Sequence, residues 1–363
     1  MRFFLRDCIN ERPITSRSLE PVYHIKGDNF ERAYREHLSN FKDWVKDGEG
    51  QHADKWILHW QNVGRRMSID ETSMSRGDLH TFLTNKEGKG QKGTIAAMIE
   101  GTDSKEIIEV LMKLPQEVRD KVEEITMDFS ESMHTIATSC FPKARITIDL
   151  FHLIRLALGD LQDYRVNLKR EAKKAETAER KKHKQRLAKN VSKRKEDKTD
   201  TRGRKPERAN AAYKPFVYEE TGDTLCELLT RSRYLLNYTR DEWTARQKKR
   251  AELLFRLYPK LEAAYNLVHR LRMIFKNHKL TKETAKPRLE EWCKDAESCG
   301  VDEFQATVDT IREREDEVLN YFVNFETNAS AESFNAKIKH FRAQLRGVSD
   351  EMFFRYRLCE LYG

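Results

Sequence analysis

The chain has 363 residues, enough for two or three domains with an ample core. Charged residues make up 35% and hydrophobic ones 38%, and no apolar run nears the roughly 18 residues of a membrane helix, so no membrane partner is expected. The opening MRFFLRDC has too short an apolar core for a signal peptide, and the six cysteines form no CxxC pair, which excludes a zinc ribbon and fits reduced thiols in a cytoplasm.

Residues 1–65 read as an irregular start followed by helix, with Phe30, Tyr34, Leu38, Phe41 and Trp44 at helical spacing and Trp56, Ile57, His59 and Trp60 after them. Three strands follow: Met67–Thr72, Leu79–Thr84 and Thr94–Glu100. The Gly-rich stretch Lys86–Gly93 lacks the ending of a phosphate loop and reads as a hairpin turn. A helix over Ser104–Leu114 is closed by Pro115. A strand over Val122–Asp128, a helix over Ser130–Cys140 with Ser130 as its cap, a strand over Arg145–Asp149 and a long helix from Phe151 complete the order. This β-β-β-α-β-α-β-α succession predicts a mixed sheet with helices on both sides.

Beyond Arg165 the pattern is helical throughout. Residues 165–208 carry 19 Lys and Arg against 7 Asp and Glu, a local +12 in a chain whose net charge is +9. A basic arm over 168–208, with few apolar residues and a tip near Thr201–Pro206, is therefore expected as an exposed helix, a hairpin or a disordered segment. Its natural partner is a polyanion; the alternative is a solvated lysine-rich surface. Helices are predicted over 222–235, 240–257, 259–276, 281–298 and 302–322, then Ala329–Arg346 and, after Gly347, Ser349–Leu361. Trp243 and Trp292 in this region fit core packing better than stacking on an exposed base.

One pattern recurs: Met67-Ser-Ile-Asp70, Ile125-Thr-Met-Asp128 and Ile146-Thr-Ile-Asp149 each read apolar, hydroxyl, apolar, aspartate. Period two sends the apolar residues to one face of a sheet and each Asp to the other. Three carboxylates in one frame point to a metal site; the alternative is that Asp simply ends strands because it favours turns and caps. Late in the chain, Phe334, Ile338, Phe341 and Leu345 form an apolar helical stripe, with Glu332, Asn335, Ala336 and Lys339 on another face. Two Asp and one Glu on a mixed sheet suit a two-metal phosphoryl-transfer site, and oxygen ligands select Mg²⁺ or Mn²⁺.

The motifs Ser68-Ile-Asp-Glu71, Met127-Asp-Phe-Ser130, Phe141-Pro-Lys-Ala144, Asp149-Leu-Phe-His152, Asn328-Ala-Ser-Ala-Glu-Ser-Phe-Asn-Ala-Lys-Ile-Lys339 and Phe354-Arg-Tyr-Arg357 occur in this order. Together they make the chain from about residue 60 onward resemble the bacterial insertion-sequence transposases of the ISL-three group, which have an RNase H-like DDE domain. The resemblance implies an α+β fold: an RNase H-like mixed sheet interrupted by a large all-α insertion. It implies Asp70, Asp128 and Glu332 as catalytic triad and metal ligands, with two Mg²⁺ or Mn²⁺ ions. Asp149 and His152 match a D-x-x-H signature found where a helical insertion precedes the Glu helix. The spacing agrees, since 58 residues separate Asp70 from Asp128 and 204 separate Asp128 from Glu332. Asn335, Lys339, Lys181, Lys182 and Arg204 are candidate DNA contacts.

The expected domains are an N-terminal helical segment (1–65), the first part of the catalytic core (66–165), a helical insertion with the arm (166–325) and C-terminal helices completing the core (326–363). The implied activity is metal-dependent cleavage at insertion-sequence ends followed by strand transfer into target DNA, in a bacterial cytoplasm and at the nucleoid. Members of the group usually begin with a Cys-rich zinc element and a helix-turn-helix; here only Cys8 precedes Cys140. The expected partners are therefore DNA, a second copy in the synaptic complex, and a companion protein that recognises the ends. Two rivals stand beside this reading: an RNase H-like nuclease or resolvase that does not join, and a non-catalytic DNA-binding remnant.

Overall fold

A computed structural model describes residues 1–46, 49–75, 77–196, 212–345, 348 and 350–363. It divides into two compact units: residues 1–153, 278–285 and 313–363 form one, residues 154–277 and 286–312 the other.

The first unit holds a six-stranded sheet in the order β1-β4-β3-β2-β5-β6. Its strands are β1 (Trp56–Leu58), β2 (Arg66–Ser75), β3 (Asp78–Asn85), β4 (Ile95–Glu100), β5 (Glu124–Met127) and β6 (Arg145–Ile148). Neighbours from β1 to β2 pair antiparallel, while β2–β5 and β5–β6 are parallel. The hairpin between β3 and β4 turns through Lys86–Gly93, where Lys89 and Gly90 both have positive φ. β1 departs from the sequence reading, in which Trp56–Trp60 continues a helical start. Three residues are too few to display a period of two, and only pairing with β4 along Trp56–Ile99, Ile57–Met98 and Leu58–Ala97 makes them a strand.

Both faces of the sheet are covered. On β2, Met67 and Ile69 are buried as alternation requires, yet Ser68 and Thr72 on the opposite side are buried too. All four residues of β5 are buried, as parallel strands usually are. Helices Ser104–Leu111 and Glu131–Cys140 pack on each other and on β4 and β5 respectively. They are capped by Asp103, which accepts from the N–H groups of Lys105 and Glu106, and by Ser130, which accepts from that of Met133.

The helix Ala329–Gln344 covers the face that carries Asp70. Asp70 pairs across the ladder with Phe82, and Phe82 with Met98, so these side chains share one face. Phe334, Ile338 and Phe341 pack onto Phe82, Met98, Ile57 and the final helix, Glu351–Tyr362; the Phe82 and Phe334 rings meet edge to face at 6.2 Å. The N-terminal helices pack in turn on Phe353 and Tyr356 of that final helix. Arg355 and Arg357 of the Phe354-Arg-Tyr-Arg357 motif are both buried: Arg357 donates to the carbonyls of Ile9 (2.7 Å) and Arg12 (3.2 Å), and Arg355 lies 2.9 Å from His80 Nε2. That motif ties the termini together.

The second unit is mostly helical. The long helix Leu150–Glu196 begins in the first unit and continues into this one. Helices Ala245–Leu257 and Pro259–Lys276 follow the predicted bounds closely. A two-stranded ladder, β7 (Val217–Tyr218) with β8 (Asp223–Thr224), precedes the helix Leu225–Arg231 and was not foreseen. Buried Asp223 at its end joins it to Arg250 (2.6 Å) and to Arg231. The stretch 302–322, read as one helix, is a succession of short ones interrupted at Arg314 and Asn320. Trp243 and Trp292 are buried, and their indole N–H groups donate to the carbonyls of Leu235 and Leu267 at 2.9 and 2.8 Å. With ring faces inside the core, neither is available to stack on a base. Among the described residues no helix is long and apolar enough to cross a membrane.

Candidate functional site

The three repeated strand motifs lie side by side. β2 and β5 pair Ser68 with Thr126, and β5 and β6 pair Met127 with Ile148. Continuing both registers sets Asp70, in the middle of β2, in a row with Asp128 and Asp149, which directly follow the adjacent parallel strands β5 and β6. Asp70 is held by two donors: the N–H of Glu71 reaches Oδ1 and the Asn335 amide reaches Oδ2, both at 2.8 Å. Asp128 accepts from the N–H of Ser130 at 2.9 Å, so it opens the turn into the next helix as well as ending its strand.

Asp149 is fully buried and accepts on both oxygens. The His152 Nδ1 lies 2.9 Å from Oδ2, and the N–H of Asn328 donates to Oδ1 at 3.0 Å. Asn328 also takes the Ser68 hydroxyl on its Oδ1, and its carbonyl accepts the N–H of Glu332 at 3.0 Å. One residue thus anchors the start of the Glu332 helix to both β2 and Asp149. Ligand atoms of Asp149, His152 and Glu332 all lie within 4.8 Å of one another.

The charges feel each other. Burial, with the charges of Asp128 and Glu332, pushes Asp70 up to about 6, against the opposing pull of the Glu71 N–H and His152. Glu71 is raised by burial and by Asp128 and Asp70. His152 is raised by its hydrogen bond to Asp149 and then by the charges of Asp149, Asp128 and Asp70. Repelling carboxylates with an adjacent imidazole make a site that calls for positive charge.

Of the residues singled out in the sequence, Asp70, Asp128, Asp149, His152, Glu332 and Asn335 therefore belong to one cluster. Lys339 is exposed farther along the Glu332 helix, and Lys181 and Lys182 are exposed on the long helix. Arg204 and the arm's tip lie outside the described residues. Sequence reasoning passed over Asn328 as a site residue and gave Asn335 as a candidate DNA contact; Asn335 is buried, with its amide donating to Asp70. An Asn at the start of a helix and another one turn past a Glu are the only signals it had.

A transposase family model of the ISL-three DDE group matches residues 67–358. The chain belongs to this family. Among curated proteins and solved structures none matches it. The six-stranded sheet is thus the RNase H-like core of an ISL-three transposase, an α+β protein that acts on DNA. Transposases of this kind use divalent metal, and the cluster fits it. Its donors are carboxylates with one imidazole, and each carboxylate oxygen already holding an N–H keeps a further lone pair.

Proposed function

We propose that this transposase hydrolyses DNA at the ends of its insertion sequence and joins the freed 3′-OH to target DNA, with no covalent protein intermediate. Asp70, Asp128 and Glu332 are the catalytic carboxylates and the ligands of two Mg²⁺ or Mn²⁺ ions. The observation that supports this reading is that Asp128 and Glu332 lie near enough for their charges to add to burial in pushing Asp70 up. When bound, the metals supply the positive charge that activates the attacking oxygen and stabilises the leaving one.

The chain's own residues do the orienting. Asn335 holds the Asp70 carboxylate in one rotamer, and Asp149 fixes which nitrogen of His152 faces the backbone core, leaving Nε2 for the DNA side. His152 then places a partial or full positive charge next to Asp70 and Asp128, where a phosphate would approach. The catalytic core is drawn from 66–165 and 326–363; the insertion with its basic arm holds phosphates. Two copies acting together hold two element ends.

Asp128→Asn tests the assignment. It is expected to abolish cleavage while leaving DNA binding largely intact, and retained strand transfer would overturn it. Supplying pre-cleaved ends separates the transposase from a nuclease or resolvase: only the former joins them.

A further inference from the structure

Beside the acidic cluster, an open pocket of about 500 Å³ is lined by Arg66, Lys86, Glu87, Lys89, Glu326 and Ser330. Arg66 lies on the same face of β2 as Ser68 and Asp70, four residues or about 13 Å away along the strand. The Lys86 ammonium is almost wholly buried and donates to the hydroxyl of Thr126, the residue paired with Ser68 and two before Asp128. The pocket is therefore on the sheet face of the catalytic carboxylates, with the Ser68–Asn328 contact between them.

Its chemistry is that of an incompletely filled anion site. Glu326 bridges Arg66 (2.7 Å) and Lys86 (3.1 Å) with its two oxygens, as a phosphate would. Lys89 is exposed, is in no ion pair among the described residues, and sits in the left-handed region at φ 50°, a conformation that favours glycine. The Ser330 hydroxyl is buried with no hydrogen-bond partner. Arg66 also meets Glu87 at 3.6 Å, so two carboxylates face three cations, and Lys89 and the Ser330 hydroxyl are left without an acceptor among the described residues.

We propose that this pocket is a subsite for a backbone phosphate of the DNA strand, a few nucleotides from the phosphate that is cut. Lys89 and Ser330 contact the phosphate, and Glu326 holds Arg66 and Lys86 oriented while tempering their charge. The inference rests on the transposase reading above and adds to it a contact that fixes the register of the strand.

The test is the binding of a fluorescent DNA duplex of arbitrary sequence to the full chain, titrated over a range of NaCl. Lys89→Gly removes the cation and relieves the backbone, so it is expected to fold at least as stably yet bind more weakly, with the salt slope reduced by about 1. Ser330→Ala is expected to weaken binding while leaving stability equal or higher, since it deletes an unsatisfied group. Glu326→Gln raises the pocket's charge and is expected to tighten binding and steepen the slope. Unchanged affinity and slope in Lys89→Gly, or weaker binding in Glu326→Gln, would overturn the subsite. A wild-type chain with no affinity for DNA would instead overturn the transposase reading, and the subsite with it.

Discussion

Asn335 shows how much a single amide can decide. It sits one turn beyond Glu332 on the same helix and spends its Nδ2 on the Oδ2 of Asp70, 265 residues earlier in the chain. Asp70 is half-buried and repelled by two neighbouring carboxylates, so an unheld side chain would turn toward solvent. Asn335→Ala is expected to lower cleavage by about 10- to 100-fold and to raise the half-saturating Mg²⁺ concentration, the usual cost of removing a partner that orients a ligand. Asn335→Asp is expected to be worse, because it replaces a donor with a fourth charge in a repelling group. A metal titration of cleavage checks both. An unchanged half-saturation point would reduce the Asn335 contact to packing.

Elements of the second unit carry two buried ionisable groups whose pH effects oppose each other. The His269 ring lies tilted against that of Tyr265, their centroids 4.2 Å apart, and burial followed by the charge of Arg272 pushes His269 down to about 4. Between its ordinary 6.5 and 4 the unfolded chain takes up a proton that the folded chain refuses, so stability falls as pH drops through this window. Asp160, bonded to the Thr307 hydroxyl, is pushed up to about 6 by burial and by the charges of Asp163 and Glu303. Here the folded chain keeps a proton that the unfolded one releases, so stability falls as pH rises from about 4 to 6. Each effect amounts to at most about 3 kcal/mol. Against the wild-type profile, urea midpoints from pH 4.5 to 6.5 are expected to fall more steeply with rising pH in His269→Phe and less steeply in Asp160→Asn, the raised Asp70 acting alike in all three chains. Parallel profiles in all three chains would show that neither group is held as described.

Over the whole molecule, charge is concentrated rather than spread. The arm's 12 excess positive charges outweigh an otherwise slightly acidic chain. The helix Leu150–Glu196 runs 47 residues, about 70 Å of regular backbone. Lys181 and Lys182 are exposed along it, while Tyr213 from farther along the chain meets Glu179 at 2.6 Å and the ring of His183. We propose that this surface neutralises phosphates and reads no base edges. Lys181→Ala with Lys182→Ala is therefore expected to weaken binding equally for every DNA sequence and to reduce the salt slope by about 2. A change in sequence preference, measured by competition between duplexes, would show that these lysines do something other than neutralise the backbone.

The local signals in the sequence were strong wherever function depends on periodicity. Alternation in the strands placed three aspartates in one frame, the helical stripe of Phe334, Ile338 and Phe341 marked the buried side of the Glu332 helix, and Ser130 marked the start of the helix Glu131–Cys140. Period, however, reports which side of an element a residue faces and not what covers that side. Only the tertiary structure decided that the aspartate face lies under the C-terminal helices, that Trp56–Leu58 is a strand, and that the Asn335 amide reaches Asp70. The gathering of Asp149, His152 and Glu332, and the role of Asn328 in joining them to β2, depend on pairing between segments some 180 to 260 residues apart. No local pattern encodes such contacts, because they form only when packing of the apolar stripe brings the two ends of the core together.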